Sequence, residues 1–227
     1  MDWNNKNDAL KAVKQNGLAL EYASDELKND KYVVLEAVKQ YGRALYYASD
    51  RLKDDKEVVL EAVKQLGYVL KYASDELKND KEVVLEAVKK DARSLIYTSA
   101  DLRSNKELIL EAIKQDVCSL DYASDELKND KYVVLEAVKQ DWAALEYASD
   151  ELQSDKDVLN SMREYLINDK WKGHSDEQLF LDAKENLLKY DREDELQSKL
   201  ADLDKLQAQQ QNSINQHKVE VKARRKI

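Results

Sequence analysis

The chain has 227 residues, of which 43% are hydrophobic and 37% charged, with a formal net charge of -9, four glycines and no proline. Such a composition supplies a buried core and a densely charged surface but little turn chemistry for strands, so it predicts an all-α protein. The acidic balance argues against an extended groove for nucleic acid, because such grooves need clustered Lys and Arg.

The compartment is predicted from the single cysteine and from the absence of long apolar runs. Cys118 has no second cysteine with which to form an intrachain disulfide. No stretch approaches the roughly 20 apolar residues of a membrane span, and the first six residues contain no apolar run. We therefore expect a cytoplasmic location or another intracellular reducing compartment.

A tyrosine recurs every 25 residues, and several leucines recur in the same register. These tyrosines are Tyr22, Tyr47, Tyr72, Tyr97, Tyr122 and Tyr147. The unit reads approximately DKEVVLEAVKQxGxxLxYASDELKN, and six such units follow one another from residue 5 to residue 154, unit 3 being 55–79. A fixed period of this length predicts a solenoid of tandem helical units.

Each unit is predicted to contain two helices. In unit 3 the segment from Lys56 to Gln65 has apolar residues at helical spacing, with Asp55 available as N-cap; we call it the A helix. The second helix is predicted from Gly67 to Lys78. Ser74 is also a good N-cap, so the sequence leaves open whether a separate short turn begins there.

The turn between the two helices differs along the array. Units 1 to 3 place Gly17, Gly42 and Gly67 there, which predicts a tight turn. Units 4 to 6 place Ala92, Val117 and Trp142 there, each after an aspartate that is able to cap the second helix: Asp91, Asp116 and Asp141.

The unit VVLEAVKQxGxxLxYASDELKND resembles the family known as domain of unknown function 4116, over roughly Lys6 to Asp155. The resemblance implies a helical repeat fold, and it attaches no catalytic residues to the pattern. A seventh unit begins at Asp155 as DKDVLNSMREYL but loses the Ala-Val pair, which predicts a modified capping helix.

We predict a solenoid with its cap over residues 1–170 and a C-terminal extension over 171–227, either a helical hairpin or a long helix that begins near Ser175. A heptad pattern from Leu196 onward is interrupted by polar residues, so it predicts only a marginal coiled coil, and a homodimer through this helix is not favoured. The basic tail could contact RNA, an anionic lipid surface or an acidic protein, although cations also suit a solvated helix end. Its candidate residues are Lys222, Arg224, Arg225 and Lys226.

No catalytic or cofactor motif is present, and His174 and His217 lack metal-ligand spacing. We therefore predict a protein without enzymatic activity, cofactor or metal. The recurring serines, such as Ser74, are interpreted as caps or small packing residues, and the recurring tyrosines as packing residues between units.

Three positions, by contrast, differ strongly between units, and residues there are free to serve a ligand. The cap row is Asn16, Tyr41, Leu66, Asp91, Asp116 and Asp141; the first row is Leu18, Arg43, Tyr68, Arg93, Cys118 and Ala143; the second row is Glu21, Tyr46, Lys71, Ile96, Asp121 and Glu146. Aromatic and basic residues, which are typical interface anchors, cluster in the middle units. The candidate partner-binding residues are Tyr41, Arg43, Tyr46, Tyr68, Lys71, Arg93 and Ile96.

The sequence thus favours a protein-protein interaction scaffold, either a subunit of a larger assembly or an adaptor. The alternative is a pathogen or viral effector that acts by occluding another protein; only the occurrence of the resembled family in bacteria, protists and large viruses supports it. RNA binding by the repeats and the tail is disfavoured by the acidic charge.

Overall fold

The computed structural model of the chain describes residues 2–163, 178, 181–201 and 205. All regular secondary structure in this part of the chain is helical. No helix in it is both long enough and apolar enough to cross a membrane. The chain forms two bodies, Met1–Met162 and Arg163–Ile227. The predicted boundary at residue 171 lies outside the described residues, and the observed division follows Met162.

Each of the six units begins with an A helix, and a seventh A helix follows unit 6. The A helices are Lys6–Gln15, Lys31–Gln40, Lys56–Val63, Lys81–Lys90, Lys106–Ile113, Lys131–Gln140 and Lys156–Ser161. In unit 3 the carboxylate of Asp55 accepts hydrogen bonds from the backbone N–H groups of Glu57 and Val58, at 3.1 and 3.2 Å. The predicted N-cap is therefore confirmed.

The core is built from the apolar positions that repeat in every unit. Val58, Val59, Ala62 and Val63 of the A helix are fully buried, and so is Leu70 of the following segment. Since a single A helix cannot cover residues on so wide a face, each unit depends on its neighbours for burial, as expected for a stacked repeat.

The predicted second helix is divided in two, which is the alternative that the sequence left open. Its first part is a 3₁₀ helix in each unit: Gly17–Tyr22, Gly42–Tyr47, Gly67–Tyr72, Ala92–Tyr97, Val117–Tyr122 and Trp142–Tyr147. Its second part is one short turn: Asp25–Lys28, Asp50–Lys53, Leu77–Asn79, Ala100–Arg103, Asp125–Lys128 and Asp150–Gln153.

In unit 3 the division falls at Ala73 and Ser74, because the serine bonds to the preceding unit instead of continuing the helix. Ala73 has an extended backbone, with φ -68° and ψ 162°. The N–H of Ser74 donates to the carbonyl of Lys53 at 3.0 Å, and its hydroxyl donates to Asp54. The same hydroxyl accepts from the N–H of Leu77 at 3.2 Å, which confirms the predicted capping role of this serine.

The glycines of units 1 to 3 lie at the junction between the two helices, where the turn was predicted, and they serve close packing without a left-handed backbone. None of Gly17, Gly42 and Gly67 has a φ in the left-handed region. A Cβ atom at Gly67 would lie 2.2 Å from the carbonyl oxygen of Ala87 and 2.9 Å from the backbone nitrogen of Asp91, both in the next unit. The backbone of the neighbouring unit therefore occupies the space of a side chain.

The aspartate caps predicted for units 4 to 6 are confirmed. Asp91, Asp116 and Asp141 accept from the N–H groups two residues further on, at 3.1, 3.0 and 3.0 Å. Each closes the start of a 3₁₀ helix, where backbone donors otherwise lack partners.

A line of ion pairs joins the A helices at their N-termini. Lys31 Nζ lies 2.9 Å from Asp55 Oδ2 and 2.7 Å from Glu57 Oε2 of the next unit. Partial burial alone would raise the pKa of Asp55, but the hydrogen bond from Lys31 and the two capping amides outweigh it and lower the pKa. In unit 5 Asn105 replaces the aspartate, and Lys81 pairs only with a glutamate, Glu107, at 2.6 Å.

The seventh A helix has a changed sequence, with Met162 fully buried at the position of the usual alanine and Asn160 and Ser161 exposed. In the second body a long helix covers residues 181–201, so the long-helix alternative is the one observed. The guanidinium of Arg163 binds Asp191 at 3.0 and 2.8 Å. The predicted helix start at Ser175 lies outside the described residues.

Candidate protein-binding face

The 3₁₀ helices turn the two variable rows outward. A 3₁₀ helix has three residues per turn, so the first-row and second-row residues of a unit, three positions apart, lie one above the other. All six second-row residues are exposed, among them Tyr46 and Ile96 with 54% and 50% of their surface accessible. With the adjoining cap row, these residues form what we call the variable face.

An aromatic and basic cluster occupies this face in units 2 and 3. The ring centroids of Tyr46 and Tyr72 are 5.1 Å apart. Lys71 Nζ lies 4.8 Å from the ring centroid of Tyr72 and 5.4 Å from that of Tyr68. Interaction with Tyr72 raises the pKa of Arg43, so a guanidinium, charged as any arginine is, lies beside the rings. The cluster offers both ring surfaces and cations to a ligand.

The cluster continues into unit 4. Arg93 binds the carboxylate of Asp91 through two hydrogen bonds of 3.0 Å each. A shallow cavity of about 270 Å³ is lined by Tyr68, Asp91, Arg93, Ile96 and Tyr97. At the other end, Tyr41 of the cap row has 37% of its surface accessible. The structure thus places all seven predicted partner-binding residues on one face, and it brings Arg43, Tyr46, Tyr68 and Lys71 together around Tyr72.

The family of this array is decided by its match to a family model described as Domain of unknown function (DUF4116). The matches cover residues 5–53, 30–78, 55–103, 80–128, 105–153 and 130–160. The chain belongs to the DUF4116 family. Successive matches advance by one unit of the solenoid, so the family pattern coincides with the observed units. Comparisons with curated proteins and with solved structures gave no match.

The charge of the variable face changes sign along the DUF4116 array. Units 2 to 4 carry its cations, whereas every charged residue of units 5 and 6 on the same rows is a carboxylate. The cations are Arg43, Lys71 and Arg93; the carboxylates are Asp116, Asp121, Asp141 and Glu146. Arg93 is offset by its own Asp91, so the net positive charge lies in units 2 and 3.

Tyr72, one of the tyrosines that recur in every unit, has a second role besides packing. Tyr72 was interpreted as a packing residue between units, and its contact with Tyr46 of unit 2 confirms this. It also lies at the centre of the candidate cluster. The sequence already pointed to this position, because Arg43 lies in the preceding unit and Lys71 lies directly before Tyr72.

Cys118 and Tyr147 interact in units 5 and 6, the acidic end of the DUF4116 array. A hydrogen bond with Cys118 raises the pKa of Tyr147 to about 12, and partial burial adds to the shift. Partial burial also raises the pKa of Cys118, which favours the protonated thiol. Within the described residues, no group of His, Cys, Asp and Glu side chains could hold a metal ion. His174, His217 and the tail residues Lys222, Arg224, Arg225 and Lys226 lie outside that part of the chain.

Proposed function

We propose that this protein is a non-catalytic protein-protein interaction scaffold, a subunit of a larger assembly or an adaptor, which binds its partner through the variable face of units 2 to 4. The observation that carries the proposal is the exposure of large side chains on divergent positions of an otherwise regular stack. Tyr46 and Ile96 are half exposed, whereas Leu45 and Leu95 beside them are fully buried.

Two properties of the cluster support protein binding. Tyrosine and arginine are enriched at the energetically important centres of protein interfaces, because they combine a large contact area with a polar tip. The contacts of Lys71 with two rings also order these side chains before a partner arrives. Less conformational entropy is then lost on binding.

We also propose a cytoplasmic or other reducing location. Cys118 is the single cysteine and it is exposed. A lone exposed thiol of this kind stays reduced in such a compartment, where disulfides to other molecules do not persist.

The proposal is tested by cross-linked capture of partners from the native cells, with the full chain as bait. The face variant combines Arg43→Glu, Tyr46→Ala and Lys71→Glu. We expect it to lose most of the partners that the wild-type chain captures, because removal of central anchors at an interface typically costs 2 kcal/mol or more, about thirtyfold in affinity.

A matched control carries two charge reversals and one tyrosine truncation at exposed positions on or at the ends of the A helices: Lys64→Glu, Lys114→Glu and Tyr132→Ala. Tyr132 is 55% accessible, close to the value for Tyr46. We expect the control to retain the wild-type partners. Equal capture by the face variant and the control would show that the variable face is not the binding surface.

A further inference from the structure

The charges of the variable face are arranged so that one copy of the face complements a second copy. Counted outward from unit 4, unit 3 has Lys71 on the second row and unit 5 has Asp121 there. One step further, unit 2 has Tyr46 and unit 6 has Glu146, so a phenol faces a carboxylate. All four side chains are exposed, and Asp121 keeps this exposure beside Lys128 of its own unit, whose Nζ lies 3.4 Å from Asp121 Oδ1.

The centre of this pattern is apolar. Ile96, the second-row residue of unit 4, is 50% accessible, and the rows of unit 4 carry no unbalanced charge because Arg93 binds Asp91. An exposed isoleucine flanked by cations on one side and carboxylates on the other is the arrangement expected at the axis of a self-complementary interface.

From this pattern we propose that the variable face binds a second copy of this chain, antiparallel, about a two-fold axis that passes through unit 4. A two-fold axis lying in the interface and perpendicular to the stack reverses the order of the units while each row still faces itself. Units 2 and 6 then face each other, units 3 and 5 face each other, and the two copies of Ile96 meet. This inference rests on the proposed function, because it names the partner for the same protein-binding face.

The antiparallel register is the one that the charges select. Parallel copies would set each unit against itself, so the carboxylates of unit 5, Asp116 and Asp121, would face carboxylates. An axis between units 3 and 4 would set unit 1 against unit 6, and hence Glu21 against Glu146. Because like charges facing each other are unfavourable, both arrangements are disfavoured. In the proposed register Arg93 faces its own copy, but each Arg93 is paired with Asp91 of its own chain.

The cap row supports the same register. With the axis through unit 4, Tyr41 of unit 2 faces Asp141 of unit 6, so a second phenol meets a carboxylate. Arg43 lies on the row between Tyr41 and Tyr46 and would have two carboxylates of unit 6, Asp141 and Glu146, on either side of its position. The interface would thus combine ion pairs, phenol-carboxylate hydrogen bonds and a small apolar centre, which gives specificity and a salt-dependent affinity.

The test is sedimentation velocity of the purified full chain over a concentration series. We expect a monomer-dimer equilibrium at low salt and dissociation in about 1 M salt, where the screening length is roughly 3 Å. Lys71→Glu alone and Asp121→Lys alone should each weaken the dimer by about tenfold or more, since each creates two like-charge contacts per dimer. Circular dichroism melting confirms that both surface variants remain folded.

Charge exchange gives the decisive comparison. In an equimolar mixture of the Lys71→Glu and Asp121→Lys chains, every contact at these positions is again between opposite charges, so a mixed dimer of near wild-type affinity should form. The double variant should likewise dimerise with itself. A monomeric wild-type chain, a dimer that both single variants leave unchanged, or a mixture that stays monomeric would each overturn the inference.

The outcomes also separate this inference from the proposed function. If the chain is monomeric but the face variant loses its cellular partners, the face binds other proteins and only the self-association is wrong. If the chain is monomeric and the face variant captures the same partners as the control, both are wrong. If both single variants dimerise as the wild type does, the contact between copies lies on another surface and the inference is wrong.

Discussion

The first three and the last three units of the solenoid solve the same packing problem with different residues. In units 1 to 3 a glycine at the start of the 3₁₀ helix lets the carbonyl of the next A helix approach closely. In units 4 to 6 a side chain fills this place: Ala92 and Trp142 are buried there, at 4% and 5% accessibility. The stack is thus maintained while the local backbone spacing adapts to the residue present.

The two halves also differ in the chemistry that they expose. In the first half, units 2 and 3 present aromatic rings with Arg43 and Lys71; in the second half, units 5 and 6 present carboxylates. The residues that hold the stack change little between the halves, whereas the outward rows change sign. This contrast teaches that the fold constrains the buried positions and the capping positions, and that the outward rows are where a specific partner can be selected.

The largest expected effect tests the first contrast. Gly67→Ala should lower the free energy of unfolding by about 3 kcal/mol, because the new Cβ would meet the backbone of Ala87 and Asp91, which cannot turn aside as a flexible side chain can. The reverse exchange in the second half, Ala92→Gly, should cost only about 1 kcal/mol through a lost methyl contact and added backbone entropy. Urea unfolding measures both. Equal losses would show that the two halves have the same spacing at this position.

The difference in exposed chemistry between the two halves is tested with two tyrosines that occupy the same position in their units, Tyr72 and Tyr122. Tyr72 contacts the ring of Tyr46 and the cation of Lys71, whereas no ring contact involves Tyr122 within the described residues. Tyr72→Ala should therefore destabilise the protein by about 1 kcal/mol more than Tyr122→Ala, the amount typical of an aromatic pair with a cation-π contact. Both rings are half-buried, so their apolar burial largely cancels in the comparison. A larger loss at Tyr122 would contradict the special role of the first-half cluster.

Features that depend on one unit alone could be predicted from the sequence. The A helix and its cap at Asp55 follow from local spacing and from an N-cap residue. The variable face could also be predicted, because internal repetition shows which positions diverge. The candidate residues Tyr46 and Lys71 were found in this way, although their contacts with Tyr72 were not.

Features that depend on the neighbouring unit could not be settled in the same way. The break at Ser74 is decided by its bond to Lys53, and the need for glycine at residue 67 is decided by the carbonyl of Ala87. Both partners belong to adjacent units, and their approach depends on a stacking distance that the sequence does not state. Local propensity therefore left the break open and did not reveal the close packing that requires the glycine.

The smallest effect concerns the ion pairs, which the two halves also build differently. Asp55 both caps its helix and pairs with Lys31, while Asn105 at the same position in unit 5 caps without a charge. Asp55→Asn keeps a good cap and removes the pair, so it should lower the melting temperature by only about 2 °C or less at neutral pH. Asn105→Asp should raise it by a similar amount, because a carboxylate would then be available to Lys81.

The pH dependence identifies the cause of these shifts. Because the pKa of Asp55 is lowered in the folded protein, its charge stabilises the fold above the unfolded value of about 3.9, and this contribution is lost as the pH falls through the folded pKa. The difference between the wild type and Asp55→Asn should thus shrink as the pH falls below about 3.9 and through the lowered folded pKa. A difference that stays constant over this acidic range would assign the effect to the cap. In that case Asn105 would be the weaker cap of the two, and the halves would differ in helix capping instead of charge.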